Sequence, residues 1–314
     1  MYRSTDAGAP QLTGQAGALA AILDAVLVDG YGVGSAAKPP LGWSKEFSGV
    51  NQRVYRNSVS TGSGYRLRVD DTPAQYALLR GYEKMTSLNS GSGLVPDTTQ
   101  SANGCLWIKS SSANATARPW FVIGNERCFY LFMQHNGGGA NFELAYFAGD
   151  IISYAPADQH CFALTQNGLS SYSSGYGASY TFIPMTSNWD AVPTASNAAL
   201  YVARAYTGAE GAAMLGAGTG AVVGIRCVWG GASGNSYYDV PAPINGGVIS
   251  LPGLLLEGKY RLRGQYPGLL VPVATNAYGD MVEMEGWLLS KRHLAFAGSQ
   301  YLGEVIFQLG QEWT

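Results

Sequence analysis

The chain has 314 residues, of which 46% are hydrophobic and 13% charged, with a net charge of -2. Charged residues run at about half the ~25% of ordinary soluble domains, and the 42 glycines at about twice the usual ~7%. That balance excludes a protein that tracks nucleic-acid phosphates. The hydrophobic content excludes a disordered chain, and no uncharged apolar run approaches the ~18 residues of a membrane span.

The opening Met1-Tyr2-Arg3-Ser4-Thr5-Asp6 has no basic stretch leading into an apolar core, so no secretory signal is expected. At ~150 residues per domain the length leaves room for about two domains. Six lysines stand against thirteen arginines, beside 20 tyrosines and 7 tryptophans. Aromatic residues and arginine bury well at interfaces and lysine does not, so the balance predicts a subunit of an assembly. A β-rich fold with Gly/Ser loops and a modestly polar skin is the plainer alternative.

Helical periodicity is clear once. Thr13 is placed to cap a helix from Gly14 to about Val28, with Leu19, Ile22, Leu23, Val26 and Leu27 on one apolar face. Asp29-Gly30 ends it, and the Gly30–Gly34 and Pro39-Pro40 stretch reads as loop. Tyr65 to Asp70 alternates apolar and charged residues, the mark of a strand with one face in the core. The segment from Pro73 to Met85 admits a helix start at Thr72-Pro73, but Tyr76-Ala77-Leu78-Leu79 favours a strand.

Gly104–Lys109 is a further strand. Pro119–Ile123 and Arg127–Met133, joined through Gly124-Asn125-Glu126, predict a hairpin. Both runs are almost continuously apolar, so cover on both faces is expected. Phe142–Phe147, Ile151–Tyr154 and Cys161–Thr165 complete the first half. Residues 166–198 change character, and the Ser170–Gly177 run reads as linker or surface loop. Beyond it, Leu200–Tyr206, Val222–Trp229, Lys259–Gln265, Met281–Glu285, His293–Ala297 and Glu304–Leu309 read as strands. Tyr65-Arg66-Leu67-Arg68 recurs as Tyr260-Arg261-Leu262-Arg263, which reads as a strand with two outward arginines in each half.

The fold class predicted is therefore mainly β, with two sandwich- or barrel-like halves and one N-terminal helix. The expected division is 1–165 for the helix and first β domain, 166–198 for the linker, and 199–314 for the second β domain.

Reactive chemistry finds little support. Cys105, Cys128, Cys161 and Cys227 have no metal-ligand spacing and lie by apolar runs, so buried thiols are expected, with a disulfide left open. His135, His160 and His293 have no nucleophile elbow to serve. His160 and Cys161 are neighbours in a strand, so their side chains point to opposite faces. Asp70-Asp71 reads as a backbone-capping turn pair.

Asp150, Asp239, Asp280, Glu283 and Glu285 are the remaining carboxylates that a glycan hydrolase could use, but the required cross-cleft spacing cannot be read from sequence. Gly216–Ala221 mimics a dinucleotide loop and is followed by a β-branched run where a helix is required. No metal, cofactor or catalytic residue is expected. Tyrosines in the Ser171–Tyr180 and Gly230–Tyr238 loops, namely Tyr172, Tyr176, Tyr237 and Tyr238, could contact a sugar or a protein partner.

Leu23–Gly32 with Gly42-Trp43, Leu67–Asp71, Arg80–Met85, Ala115–Trp120, Phe129–Phe132 and Gly149-Asp150 resemble a family of virion proteins of tailed bacteriophages. The resemblance covers residues 1 to about 165 well. It thins in the second half to Arg263-Gly264, Pro267-Gly268-Leu269, Gly279-Asp280 and Trp313, and is weakest at 166–198 and 208–245. The family's motifs carry no known chemistry, so the resemblance implies a virion structural protein assembled in the host cytoplasm, tail- or baseplate-associated. Head decoration, a head–tail junction, or a receptor- or glycan-binding virion module are the alternatives. The partners implied are further copies of the chain and other virion proteins, with host surface glycan or receptor open. Leu19, Ile22, Leu23 and Val26, together with the four loop tyrosines, are the interface candidates.

Overall fold

Runs of aromatic and branched residues broken by glycine favour pleated strands over helix, and strands dominate the computed structural model. It describes residues 1–135, 144–166, 199–211, 213–217, 250–257, 261–272, 282–288, 291–297, 304–309 and 313. The chain begins with β1 (Tyr2–Arg3), α1 (Ala18–Leu23), a π-helical turn (Asp24–Asp29) and a 3-10 turn (Gly34–Ala36). A first group of strands follows: β2 (Ser44–Gly49), β3 (Gln52–Arg56), β4 (Arg66–Asp70), β5 (Tyr76–Ser87), β6 (Ser90–Val95) and β7 (Cys105–Ile108). Next come β8 (Trp120–Gly124), β9 (Cys128–Met133), β10 (Leu144–Asp150), β11 (Ile152–Ser153) and β12 (Phe162–Gln166). The remainder is β13 (Ala199–Val202), β14 (Ala213–Ala217), β15 (Ser250–Glu257), β16 (Arg261–Pro272), β17 (Val282–Leu288), β18 (Lys291–Ala297) and β19 (Glu304–Leu309).

Among the described residues these strands form two antiparallel sheets. The smaller has the order β2-β3-β4-β5-β6, with β7 also on β5. The larger has the order β1-β8-β9-β10-β12-β13-β14-β15-β16-β19-β18-β17, with β11 on β16. The mainly β class with one short helix holds. The ambiguous Pro73–Met85 segment is strand β5, whose first residues pair with β7.

The expected hairpin is β8–β9, with Trp120 opposite Met133 and Gly124 opposite Phe129. Its two-sided burial follows from the alternation of side chains. Trp120, Val122, Phe129, Leu131 and Met133 face a core shared with α1 and the smaller sheet. Phe121, Ile123, Tyr130 and Phe132 face a second core with Leu255, Tyr266, Leu269, Phe307 and Trp313.

That second core joins the early and late parts of the chain. The Tyr130 ring lies 4.8 Å from Phe307 of β19, and its hydroxyl donates to the Pro267 carbonyl of β16 at 2.9 Å. The far end of the large sheet therefore folds back over its beginning. β12 and β13 flank residues 167–198 and pair with each other, Leu164 opposite Tyr201. The Ser/Tyr/Gly stretch accordingly does not divide the sheet.

The N-terminal helix departs from expectation. It is six residues long and starts after Gly17, whose φ of 82° lies in the left-handed region and stops extension back to Gly14. Thr13 provides no cap. The first turn's amides are met from a distance, with Leu19 N–H and Ala20 N–H donating to the Asp71 carboxylate at 2.8 and 3.0 Å. After Leu23 the coil widens into the π turn. There Asp24 accepts hydrogen bonds from Arg53 Nε at 2.8 Å and Tyr55 Oη at 2.9 Å. Gly30 closes the segment, donating to the Ala25 carbonyl at 2.8 Å.

Candidate functional site

The helical face expected to meet another subunit is occupied within this one. Leu19, Ile22, Leu23 and Val26 are fully buried in a core that also holds Tyr55, Leu67, Val69 and Leu131. As interface candidates these four are corrected to core. An apolar stripe demands a partner surface, and the smaller sheet of the same chain supplies it. Tyr172, Tyr176, Tyr237 and Tyr238 lie outside the described residues, as do Asp239, Asp280, Cys227 and the Val222–Trp229 run.

The described carboxylates singled out in sequence fall at separate places. Glu283 and Glu285 lie on β17, with Glu283 opposite Leu294 of β18. Asp70 accepts the Thr72 amide at 3.2 Å, the capping turn expected. Asp71 caps as well, but across the fold onto α1, and it is buried against Lys109.

Asp150 is buried at the end of β10. Its carboxylate accepts from Ser63 N–H at 2.7 Å, Ser63 Oγ at 2.5 Å and Asn57 Nδ2 at 2.9 Å. These bonds tie the loop between β3 and β4 to the large sheet. Burial raises the Asp150 carboxyl above the ordinary range, against the opposing pull of the Ser63 bonds.

Asp150→Ala removes those acceptors and leaves the Ser63 amide without its partner, so a loss of roughly 1–3 kcal/mol in urea unfolding is expected. A group with a raised folded pKa contributes fully below its unfolded pKa and loses that contribution as pH rises through the folded value. The gap between wild type and Asp150→Ala is therefore expected to narrow from acid toward neutral pH.

Cys105, Cys128 and Cys161 are free and buried, and burial pushes all three thiols up. His135 is buried beside the end of β9, its carbonyl accepting the Ser111 amide at 3.0 Å. His160 and Cys161 precede β12, which starts at Phe162, so the strand expected to hold both does not include them, although their side chains go to different places. Cys161 enters the second core, while His160 Nδ1 lies 2.8 Å from Tyr65 Oη and 4.0 Å from the Glu83 carboxylate. Arg204 Nη2 donates to Glu83 at 2.7 Å and holds its carboxyl below the ordinary range. Tyr65 also stacks on Phe162, with ring centroids 5.4 Å apart. This group, with its two stacked rings buried and its charged members partly exposed, pins the start of β4 and β5 of the smaller sheet to the ends of β12 and β13.

The surface best suited to meeting a partner lies around the end of the β15–β16 pair where Glu257 stands opposite Arg261. Tyr154, Tyr206 and Leu262 are exposed there, 42%, 43% and 38% respectively. Tyr154 N–H donates to the Arg263 carbonyl at 2.9 Å, and its hydroxyl donates to Gln265 Oε1 at 2.7 Å. Tyr206 N–H donates to the Glu257 carboxylate at 2.7 Å.

Beneath them Arg263 is buried, 2.5 Å from Asp158, 3.3 Å from Glu257 and 2.5 Å from Ser153 Oγ. Burial works to raise the Asp158 carboxyl, but the bonds from Arg263 and Ser153 outweigh it and hold it below the ordinary range. Tyr154 is thus held at both its amide and its hydroxyl, so its ring has little further entropy to lose, and the Tyr206 backbone is tied to the same ion cluster.

The outward arginine expected at Arg263 is corrected here, because Arg263 faces in and Leu262 faces out, while the Arg261 side chain lies outside the described residues. In the first half Leu67 and Val69 are buried and Arg66 and Arg68 remain half-buried, as alternation predicts. In the second half Asp158 and Glu257 give the inward guanidinium its partners, so the opposite phase is tolerated. The repeated Tyr-Arg-Leu-Arg pattern marked the strand but not which of its faces is the core. No protein-family model matches the sequence, and no curated protein matches it.

Proposed function

We propose that this chain is a non-catalytic structural subunit of a tailed-phage virion, in the tail or baseplate region. It works by packing against copies of itself and neighbouring virion proteins. The observation that carries the reading is the exposure of Tyr154, Tyr206 and Leu262 near the buried Arg263–Asp158–Glu257 ion cluster, on a chain with only six lysines. Aromatic surface over a prearranged scaffold suits a permanent contact between subunits. The likeness of residues 1 to about 165 to tailed-phage virion proteins supports the particle as the setting. Closed rings of identical copies are the economical way to use one such surface repeatedly.

The test is made on particles. The chain is expected in purified virions in symmetric copy number, and particles assembled without it are expected to be absent or malformed. Replacing Tyr154, Tyr206 and Leu262 together by Ser is expected to change the subunit's stability by no more than about 0.5 kcal/mol per site. The same variant should lower incorporation into particles sharply. Intact infectious particles that lack the chain would overturn the proposal.

A further inference from the structure

Lys109 and Asp71 meet inside the protein with both side chains fully buried. Lys109 follows β7, and its Nζ donates to Asp71 Oδ1 and to the Gln15 carbonyl, the latter at 2.8 Å. Asp71 follows β4, and its second oxygen, Oδ2, accepts the Leu19 and Ala20 amides at 2.8 and 3.0 Å. Its own backbone is held too, the amide donating to the Asn51 carbonyl and the carbonyl accepting the Gly17 amide, each at 2.9 Å. An amine and a carboxyl are therefore in contact, away from water, with two backbone N–H groups on the oxygen that would carry charge during acyl transfer. Those are the parts an amide-forming site needs: a placed nucleophile, an oxyanion site and exclusion of water.

We propose that Lys109 and Asp71 condense to an intramolecular isopeptide bond that staples the end of β4 to the end of β7 beneath α1. A proton passes from the Lys109 ammonium to Asp71 Oδ1, and the freed Nζ lone pair attacks Cγ. The new C–N bond puts the negative charge on Oδ2, where the Leu19 and Ala20 amides stabilise it. A second proton moves from Nζ to Oδ1, the Cγ–Oδ1 bond breaks, and Oδ1 leaves as water. The Cγ–Oδ2 double bond re-forms, and the one hydrogen left on Nζ stays directed at the Gln15 carbonyl. An ammonium and a carboxylate thus become an amide and water, with no oxidant, reductant or other reactant. Burial favours the reactive forms, raising the Asp71 carboxyl and lowering the Lys109 amine.

The experiment is mass spectrometry on the full chain, purified folded and then denatured. The intact mass is expected to fall short of the sequence mass by one water. A proteolytic digest is expected to contain one branched species joining the Asp71 and Lys109 peptides. Lys109→Arg should restore the full sequence mass. Free, unmodified Asp71 and Lys109 peptides from the wild type would overturn the proposal. So would a water deficit confined to a single unbranched peptide, or one that persists in Lys109→Arg.

Discussion

Measured against the chain in which Lys109 and Asp71 remain an uncondensed ion pair, Lys109→Met is expected to lower the unfolding free energy by roughly 3–5 kcal/mol, the range for removing one partner of a buried pair. The substitution keeps the bulk of the side chain but leaves the Asp71 carboxyl buried with only the Leu19 and Ala20 amides as partners. It also frees the Gln15 carbonyl, to which Lys109 Nζ donates. Adding Asp71→Ala is expected to recover part of the loss, since no charge is then stranded. What remains is the missing cap on α1, worth about 0.5–2 kcal/mol. Urea denaturation of the two variants and the wild type checks this directly. Equal losses in single and double variants would show that charge burial is not the governing effect.

Trp107→Ala is expected to cost about 3–5 kcal/mol, the usual penalty for emptying a buried aromatic site. Trp107 lies on β7 of the smaller sheet and is fully buried. Its ring stacks on Tyr146 of β10 with centroids 4.6 Å apart and meets Phe129 of β9 edge-on at 6.2 Å. Its Nε1 donates to the Thr165 carbonyl of β12 at 2.8 Å. One side chain therefore joins the smaller sheet to three strands of the larger. Trp107→Phe keeps much of the stacking and loses only the hydrogen bond and some volume, so a markedly smaller loss is expected. Thermal unfolding followed by near-ultraviolet circular dichroism would report both the stability and the loosening of the aromatic cluster.

The sequence by itself determined the β class, the β8–β9 hairpin and its burial on both faces. Those properties are local: a strand's period of two and an unbroken apolar run are visible without knowing any partner. It also marked the apolar face of Leu19, Ile22, Leu23 and Val26, because amphipathic spacing announces burial. Whether that face meets the chain's own sheet or another subunit is a question of what stands opposite, and only the tertiary structure answered it.

The helix start was hidden for the same reason. Its cap, Asp71, lies 52 residues from Leu19 in sequence, and no spacing rule reaches that far. The inward turn of Arg263 and the seating of Asp150 under Ser63 likewise depend on partners brought from distant strands. A charged side chain goes inside only where the fold delivers its counter-charge or its hydrogen bonds. Alternation along a strand fixes which residues share a face, while the choice of which face is covered belongs to the packing of the whole chain.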